Sequence, residues 1–145
     1  MEAVEETAST QQHLVEAIAE QAPDAIIFAD RDGAIRYWNR AAEQLFGYTS
    51  AEALGQNLDL IIPERLRRAH WEGFNKAVDT GITKYSGKAM TTRSMHKNGS
   101  KLYVDLSFGL VKDHAGRVIG ATAFGRDCTE RQLARAAAAA QSSGA

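Results

Sequence analysis

Five apolar side chains at alternate positions constrain the fold of this chain more than any other feature of its sequence. They are Leu102, Val104, Leu106, Phe108 and Leu110, and they follow Asn98-Gly99, a dipeptide that favours a tight hairpin turn. Successive side chains of a strand point to opposite faces, so the pattern predicts a strand with one face on a core and the other towards solvent. We therefore expect an antiparallel sheet with one covered face.

Turn and capping residues divide the first half of the chain into short elements. Asp32-Gly33 lies between two short apolar stretches and predicts a hairpin. Asn39 suits the N-cap of a following helix, and Thr49 with Glu52 has the spacing of a capping box that begins another. Two strands followed by short helices are therefore expected before residue 63.

A longer helix and three strands follow. Pro63 suits the first position of that helix, and Gly81 closes it. Strands are predicted over residues 85–96, 102–110 and 118–124. The resulting order of elements predicts the α+β class, with a five-stranded antiparallel sheet and short helices on one face.

Both ends of the chain have helical composition. The N-terminal stretch has a weak apolar stripe, and the C-terminal stretch contains a run of five alanines, the best helix formers. We expect a flanking helix over residues 1–22, a core over 23–127, and a C-terminal helix and tail over 128–145. Apolar contact between the flanking helices of two copies predicts a homodimer, through Leu14, Val15, Ile18 and Leu133.

Composition narrows the class of protein. The chain has 145 residues, with 17 basic and 18 acidic side chains, which gives no bulk attraction to nucleic acid or to an anionic membrane. Its apolar runs are too short to span a membrane, and no leader pattern opens it, so a cytoplasmic protein is expected. It contains no nucleophile elbow, phosphate-binding loop or zinc-protease motif, which predicts that it is not an enzyme.

The order of elements and several motifs resemble a PAS sensor domain. The motifs are Asp32-Gly33, residues 39–48, Leu54-Gly55, residues 97–100 and residues 120–130. The resemblance covers about residues 14–135 and implies the PAS fold, with flanking helices that relay a signal. PAS domains bind many different ligands or none, so the fold alone does not set the function.

A narrower resemblance is to the haem-binding PAS domains of FixL-type oxygen-sensing histidine kinases and of direct oxygen sensor phosphodiesterases. It is carried by residues 55–58, Ile62-Pro63-Glu64 and Ala69-His70. The resemblance implies haem b as cofactor, with His70 as the iron ligand. The plainer alternative is that His70 is a hydrogen-bonded core histidine, which is the commoner role on an apolar helix face.

Further residues of the site are implied by the same resemblance. Lys76 and Lys84 fall where basic groups hold the haem propionates. Tyr85, Leu106 and Phe108 fall where apolar side chains line the gas-binding side. The lysines could equally be ordinary solvated charges.

Met90 is a departure from the pattern of these sensors, because it stands where they place an arginine that hydrogen-bonds bound oxygen. Without a guanidinium, oxygen loses a charge-assisted donor. A thioether can instead ligate haem iron opposite a histidine. Met90 is therefore expected to be a second iron ligand or a wall of the pocket, and Met95 is the alternative if the strand register slips.

The function implied is a haem-based sensor of a diatomic gas (O2, CO or NO) or of redox state. It would relay its ligand state through the flanking helices to an effector such as a two-component histidine kinase or a cyclic-dinucleotide enzyme. The alternative is a haem-free PAS module for dimerisation and signal relay, empty or binding another small molecule.

Overall fold

A five-stranded antiparallel sheet forms the centre of the computed structural model of the chain, which describes residues 2–83 and 88–143. The strands are β1 (Ala25–Asp30), β2 (Ile35–Trp38), β3 (Met90–Met95), β4 (Lys101–Lys112) and β5 (Val118–Asp127). Their order across the sheet is β2-β1-β5-β4-β3, and every neighbouring pair is antiparallel. The last strand therefore lies in the middle of the sheet and joins the two hairpins.

Helices precede, interrupt and follow the sheet. They are α1 (Glu2–Glu20), α2 (Arg40–Phe46), α3 (Ser50–Ala53), a 3-10 helix (Leu58–Ile61), α4 (Glu64–Thr80) and α5 (Thr129–Ser143). The predicted α+β class and the antiparallel sheet are confirmed. No helix in the described residues combines the length and the apolar character needed to cross a membrane.

Some predicted boundaries are wrong. Pro63 is the N-cap of α4 rather than its first helical residue, because its extended ψ of 140° places it outside the helix. The third strand begins at Met90, where pairing with Leu106 starts, and not at residue 85. Residues 85–87 of the predicted strand lie outside the described part of the chain.

The inner face of the sheet has a closed half, which α2 and the 3-10 helix cover. Ile35, Trp38, Phe46 and Val104 are almost completely buried there. The rings of Trp38 and Phe46 have centroids 5.4 Å apart. Burial of large side chains of this kind supplies about 1.5–3 kcal/mol each, so this half holds most of the apolar stabilisation.

Asn39 connects three elements through one buried amide. Its Oδ1 accepts hydrogen bonds from the backbone amides of Ile26 (2.9 Å) and Ala42 (3.0 Å), and so caps α2. Its Nδ2 donates to the carbonyls of Ala19 (2.9 Å) and Asp24 (3.0 Å). The side chain is fully buried, so these four bonds fasten the end of α1 and the start of β1 to the start of α2.

We expect Asn39→Ala to lower the free energy of unfolding by about 3 kcal/mol, because it leaves buried backbone groups unpaired and removes a helix cap. Urea unfolding followed by circular dichroism measures the change. The matched control is Asn57→Ala, which removes an exposed cap whose Oδ1 accepts from the Asp59 amide at 2.8 Å. The control should cost about 1 kcal/mol or less, and equal losses in the two variants would contradict the central role of Asn39.

Candidate functional site

Helix α4 turns one stripe of side chains inward. The stripe consists of Leu66, Arg67, His70, Trp71, Phe74, Ala77 and Val78, which are buried or partly buried, whereas the remaining side chains of α4 are exposed. Spacings of three and four residues bring these positions onto one side of a helix. The helix lies against β5, so the stripe faces the sheet.

The other half of the inner face of the sheet is open. Its residues are Met90, Leu106, Phe108, Leu110, Ala121 and Ala123, all of them partly exposed. The strand β5 contributes only small side chains there, and Leu106 packs over Gly125, where a Cβ atom would lie 2.6 Å from its Cδ2. The predicted alternation of β4 is therefore correct for the face, but Leu106, Phe108 and Leu110 are not fully covered as Val104 is.

His70 points into apolar surroundings on the inward stripe. Its ring centroid lies 4.7 Å from that of Trp71 and 5.9 Å from that of Phe74. The Nδ1 atom is buried and has no hydrogen-bond partner among the described residues. Among the described residues, this nitrogen therefore lacks the hydrogen bond that the plainer interpretation of His70 requires.

The surroundings of His70 also set its charge. Burial lowers the pKa of the imidazole below its usual value, and the nearby Asp59 carboxylate opposes that shift. Desolvation disfavours the charged form, so the ring is neutral at neutral pH. Neutral imidazole is the form that binds a metal ion.

The two methionines of β3 lie on different faces of the sheet. Met90 pairs with Leu106 and shares the open half of the inner face with it. The register of β3 with β4 continues without a shift to Met95, which pairs with Lys101. An odd separation along a strand reverses the face, so Met90, and not Met95, lies on the inner face. The region between the inward stripe of α4 and the open half of the sheet is called the cleft below.

The remaining predicted site residues differ in what the structure shows. Leu106 and Phe108 lie in the open half, and Lys76 is exposed on α4 next to the inward stripe. Lys84 and Tyr85 lie outside the described residues. In the described ranges no three His, Cys, Asp or Glu side chains come together as metal ligands.

Asp105 joins β3 and β4 to α5 on the outer face of the sheet. Its carboxylate accepts hydrogen bonds from Thr91 Oγ1 (2.7 Å), Arg131 Nη2 (2.7 Å) and the Cys128 thiol (3.4 Å). The bonds from Thr91 and then from Arg131 lower the pKa of Asp105. Thr91 follows Met90 in the chain. Thr91 and Asp105 therefore form a continuous connection from Met90 to Arg131 of the C-terminal helix.

Comparison with known proteins places the chain among signalling domains. The PAS fold family matches residues 13–128. Sensor protein FixL of Bradyrhizobium diazoefficiens is 31% identical over 133 residues, which are 92% of this chain and 26% of FixL. Oxygen sensor protein DosP of Escherichia coli is 31% identical over 87 residues, which are 60% of this chain and 11% of DosP. The chain thus spans about a quarter of the first relative and about a tenth of the second.

Solved structures agree on the fold. A PAS domain from Colwellia psychrerythraea superposes with a TM-score of 0.71 at 22% identity, over 83% of this chain and 98% of that one. An RNA-binding light-oxygen-voltage receptor superposes with a TM-score of 0.65 at 27% identity, over 88% of this chain and 37% of that one. The first likeness bears on architecture alone.

We expect Asp105→Ala to loosen α5, because Arg131 loses its carboxylate partner. Amide hydrogen exchange over residues 129–143 should become faster by about two- to fivefold, the range of an exposed ion pair. Mass spectrometry of peptides measures the exchange. Asp113→Ala, which removes an exposed aspartate from the β4–β5 turn, is the control and should leave α5 unchanged. Equal exchange in α5 with and without Asp105 would show that other contacts hold the helix.

Proposed function

Because the chain belongs to the PAS family, we propose that it is a sensor domain that binds haem b between α4 and the open half of the sheet, with His70 as the iron ligand. A PAS domain is a sensory fold, and both relatives, FixL and DosP, are named as sensor proteins. The proposal concerns the core over residues 23–127, and the flanking helices over 1–22 and 128–145 would carry the signal.

The observation that carries the proposal is the buried Nδ1 of His70, which has no partner in the part of the chain that the structure describes. An unsatisfied buried polar atom costs about 1–3 kcal/mol, so such an atom in an apolar cleft points to a missing partner. A single imidazole supplies only one ligand to a metal ion. This is sufficient for haem, because the porphyrin ring itself supplies the other nitrogen ligands of the iron.

The walls of the cleft also fit a flat apolar group. The side chains of Ala121 and Ala123 are small, so β5 would leave room for such a group. Leu106 and Phe108 would supply apolar contacts from β4. Lys76 would pair with a propionate at the rim, and Lys84 and Tyr85 would complete the set carried over from the family resemblance.

Haem supplies an iron that binds O2, CO or NO and changes its redox state. Met90 provides a soft thioether on the opposite side of the cleft from α4 and would be a second iron ligand. It cannot donate the charged hydrogen bond that an arginine gives to oxygen, so the site favours CO, NO or redox state over O2 as the signal.

Relay to an effector would pass through β3 and Asp105. A displacement of Met90 moves its neighbour Thr91, whose hydroxyl is bonded to the same carboxylate as Arg131 of α5. Since the chain spans a small part of FixL and DosP, we propose that the effector is a histidine kinase or a cyclic-dinucleotide enzyme beyond these helices.

A second candidate function is haem-free dimerisation and signal relay, and the exposure of α1 favours it. Leu14, Val15 and Ile18 have exposed fractions of 52%, 58% and 63%, and Leu133 of α5 has 57%. Apolar side chains at helical spacing on a projecting helix gain burial by packing against a second copy. Such a homodimer is compatible with a haem sensor and would also serve a module that binds nothing or another small molecule.

Haem titration of the purified protein tests the first candidate. We expect a Soret band that saturates at one haem per chain, and His70→Ala should abolish it or weaken haem affinity by more than tenfold. His114→Ala, which removes an exposed histidine, is the control and should match the parent protein. A parent protein that gives no band, or a His70→Ala variant with an unchanged one, would rule out the haem proposal and leave the relay module.

The same spectra assign Met90. If it ligates the iron, the reduced protein should be six-coordinate and low-spin, and Met90→Ala should convert it to a five-coordinate, high-spin form. Met95→Ala is the matched control because that residue lies on the other face of the strand. An unchanged reduced spectrum in Met90→Ala would make Met90 a wall of the cleft and leave the role of His70 untouched.

Light scattering after size exclusion tests the dimer. We expect a dimer at micromolar concentration, and Ile18→Glu should shift it to monomer because it places a charge in the apolar contact. Leu54→Glu, at the 44% exposed apolar residue that follows α3 as its C-cap, should leave the dimer intact. A monomeric parent protein would refute the proposed interface.

A further inference from the structure

We propose that Trp71 is the positioning residue of His70: it fixes the rotation of α4 so that the imidazole faces the cleft. This inference rests on the proposed function, since it concerns how the iron ligand is held. It assigns a role to a side chain that neither the sequence motifs nor the comparisons single out.

Helix α4 needs such an anchor because little else fixes its rotation. Within α4, which the structure describes throughout, only Val78 is buried. Its N-cap, Pro63, makes no side-chain capping bond. A helix with a partly exposed inward stripe can rotate at small cost unless a directional contact holds it.

Trp71 supplies the directional contact. Its indole Nε1 donates to Asp59 Oδ1 at 2.7 Å, a short charge-assisted bond. One turn earlier, Arg67 donates from Nε to the Ile62 carbonyl (3.0 Å) and from Nη2 to the Asp59 carbonyl (3.2 Å). The two residues together tie one side of α4 to the 3-10 helix.

The β1–β2 turn supplies a fixed surface for the indole. Gly33 lies so close beneath the ring that a Cβ atom added there would collide with it. Gly33 also has φ of +82°, which other residues rarely adopt, and its carbonyl accepts from the Leu58 amide at 3.1 Å. The ring therefore rests on a turn that is itself bonded to the 3-10 helix.

The anchored indole contacts His70 directly. The two rings meet edge to face, with centroids 4.7 Å apart and an interplanar angle of 81°. Phe74 completes the cluster at 5.2 Å from Trp71 and 5.9 Å from His70. Consecutive residues of a helix differ in direction by about 100°, so fixing the direction of Trp71 also fixes that of His70.

Trp71→Phe tests the inference, because it keeps an aromatic ring and removes the N–H donor. We expect haem to leave this variant about tenfold faster, because loss of a contact that supports a metal ligand typically weakens binding by at least that factor. The rate is measured as haem transfer to excess apomyoglobin. The iron–histidine stretching frequency in resonance Raman spectra should shift as well. Unchanged haem loss and an unchanged frequency would overturn the proposal.

Asp59 variants separate positioning from folding. Asp59→Ala removes the acceptor and should reproduce the effect of Trp71→Phe, whereas Asp59→Asn keeps an acceptor oxygen and should restore slow haem loss. The double variant Trp71→Phe/Asp59→Ala should lose haem no faster than either single variant. Two outcomes would mean that Trp71 has a structural role alone. One is that the effects of the two substitutions on haem loss are additive, and the other is that the rate of haem loss simply correlates with the unfolding free energies of the haem-free variants.

The other indole is the matched control. Trp38 donates from Nε1 to the Tyr48 carbonyl at 3.0 Å in the closed half of the sheet, away from α4. Trp38→Phe should lower the free energy of unfolding and change haem loss by less than about twofold. A haem loss as fast as that of Trp71→Phe would overturn the specific role of Trp71.

Nuclear magnetic resonance of the haem-free protein keeps the inference distinct from the proposed function. The His70 ring signals should shift in Trp71→Phe and in Asp59→Ala but not in Asp59→Asn, and the Trp71 indole proton should exchange slowly only where the acceptor is retained. If the parent protein gives no Soret band, the haem proposal falls and these signals decide the positioning role alone. Identical ring signals in all variants would overturn it.

Discussion

The amide of Asn39 is the interaction on which the rest of the fold depends. It uses both donors and both acceptor positions on four backbone groups, so a buried polar side chain carries no unpaired atom. Through it the end of α1, the start of β1 and the start of α2 occupy one fixed arrangement. The apolar core of Trp38 and Phe46 forms around that arrangement.

The two halves of the inner face differ in burial, and the proposed function assigns stability to one and binding to the other. The closed half is filled by large side chains, and substitution of these residues would destabilise the fold. In the open half, β5 contributes small residues and the side chains of β4 are partly exposed, on a sheet against which α4 lies. Under the proposed function, the domain would keep a rigid core and use one helix and half of a sheet surface to bind a ligand.

Local patterns in the sequence were sufficient for the architecture and for part of the site. The alternation of β4, the Asn39 cap and the capping box of α3 all depend on neighbours in the chain, and all are present. Trp71 and Asp105 could not be found in this way, because a tryptophan on a helix and an aspartate on the outer face of a strand are ordinary features. Their roles arise from partners 12 and 26 residues away, which only the folded chain brings together. Strand register likewise places Met90, and not Met95, on the inner face of the sheet.

Under the proposed function, binding of a ligand beside α4 would make the stability of the domain depend on mass action. A ligand that binds only the native form at a hundred times its dissociation constant adds about 2.7 kcal/mol, which is a large share of the stability of a small domain. Unliganded chains would then unfold more often and be degraded faster. Cellular supply of the ligand would thereby set the abundance of the protein as well as its signalling state.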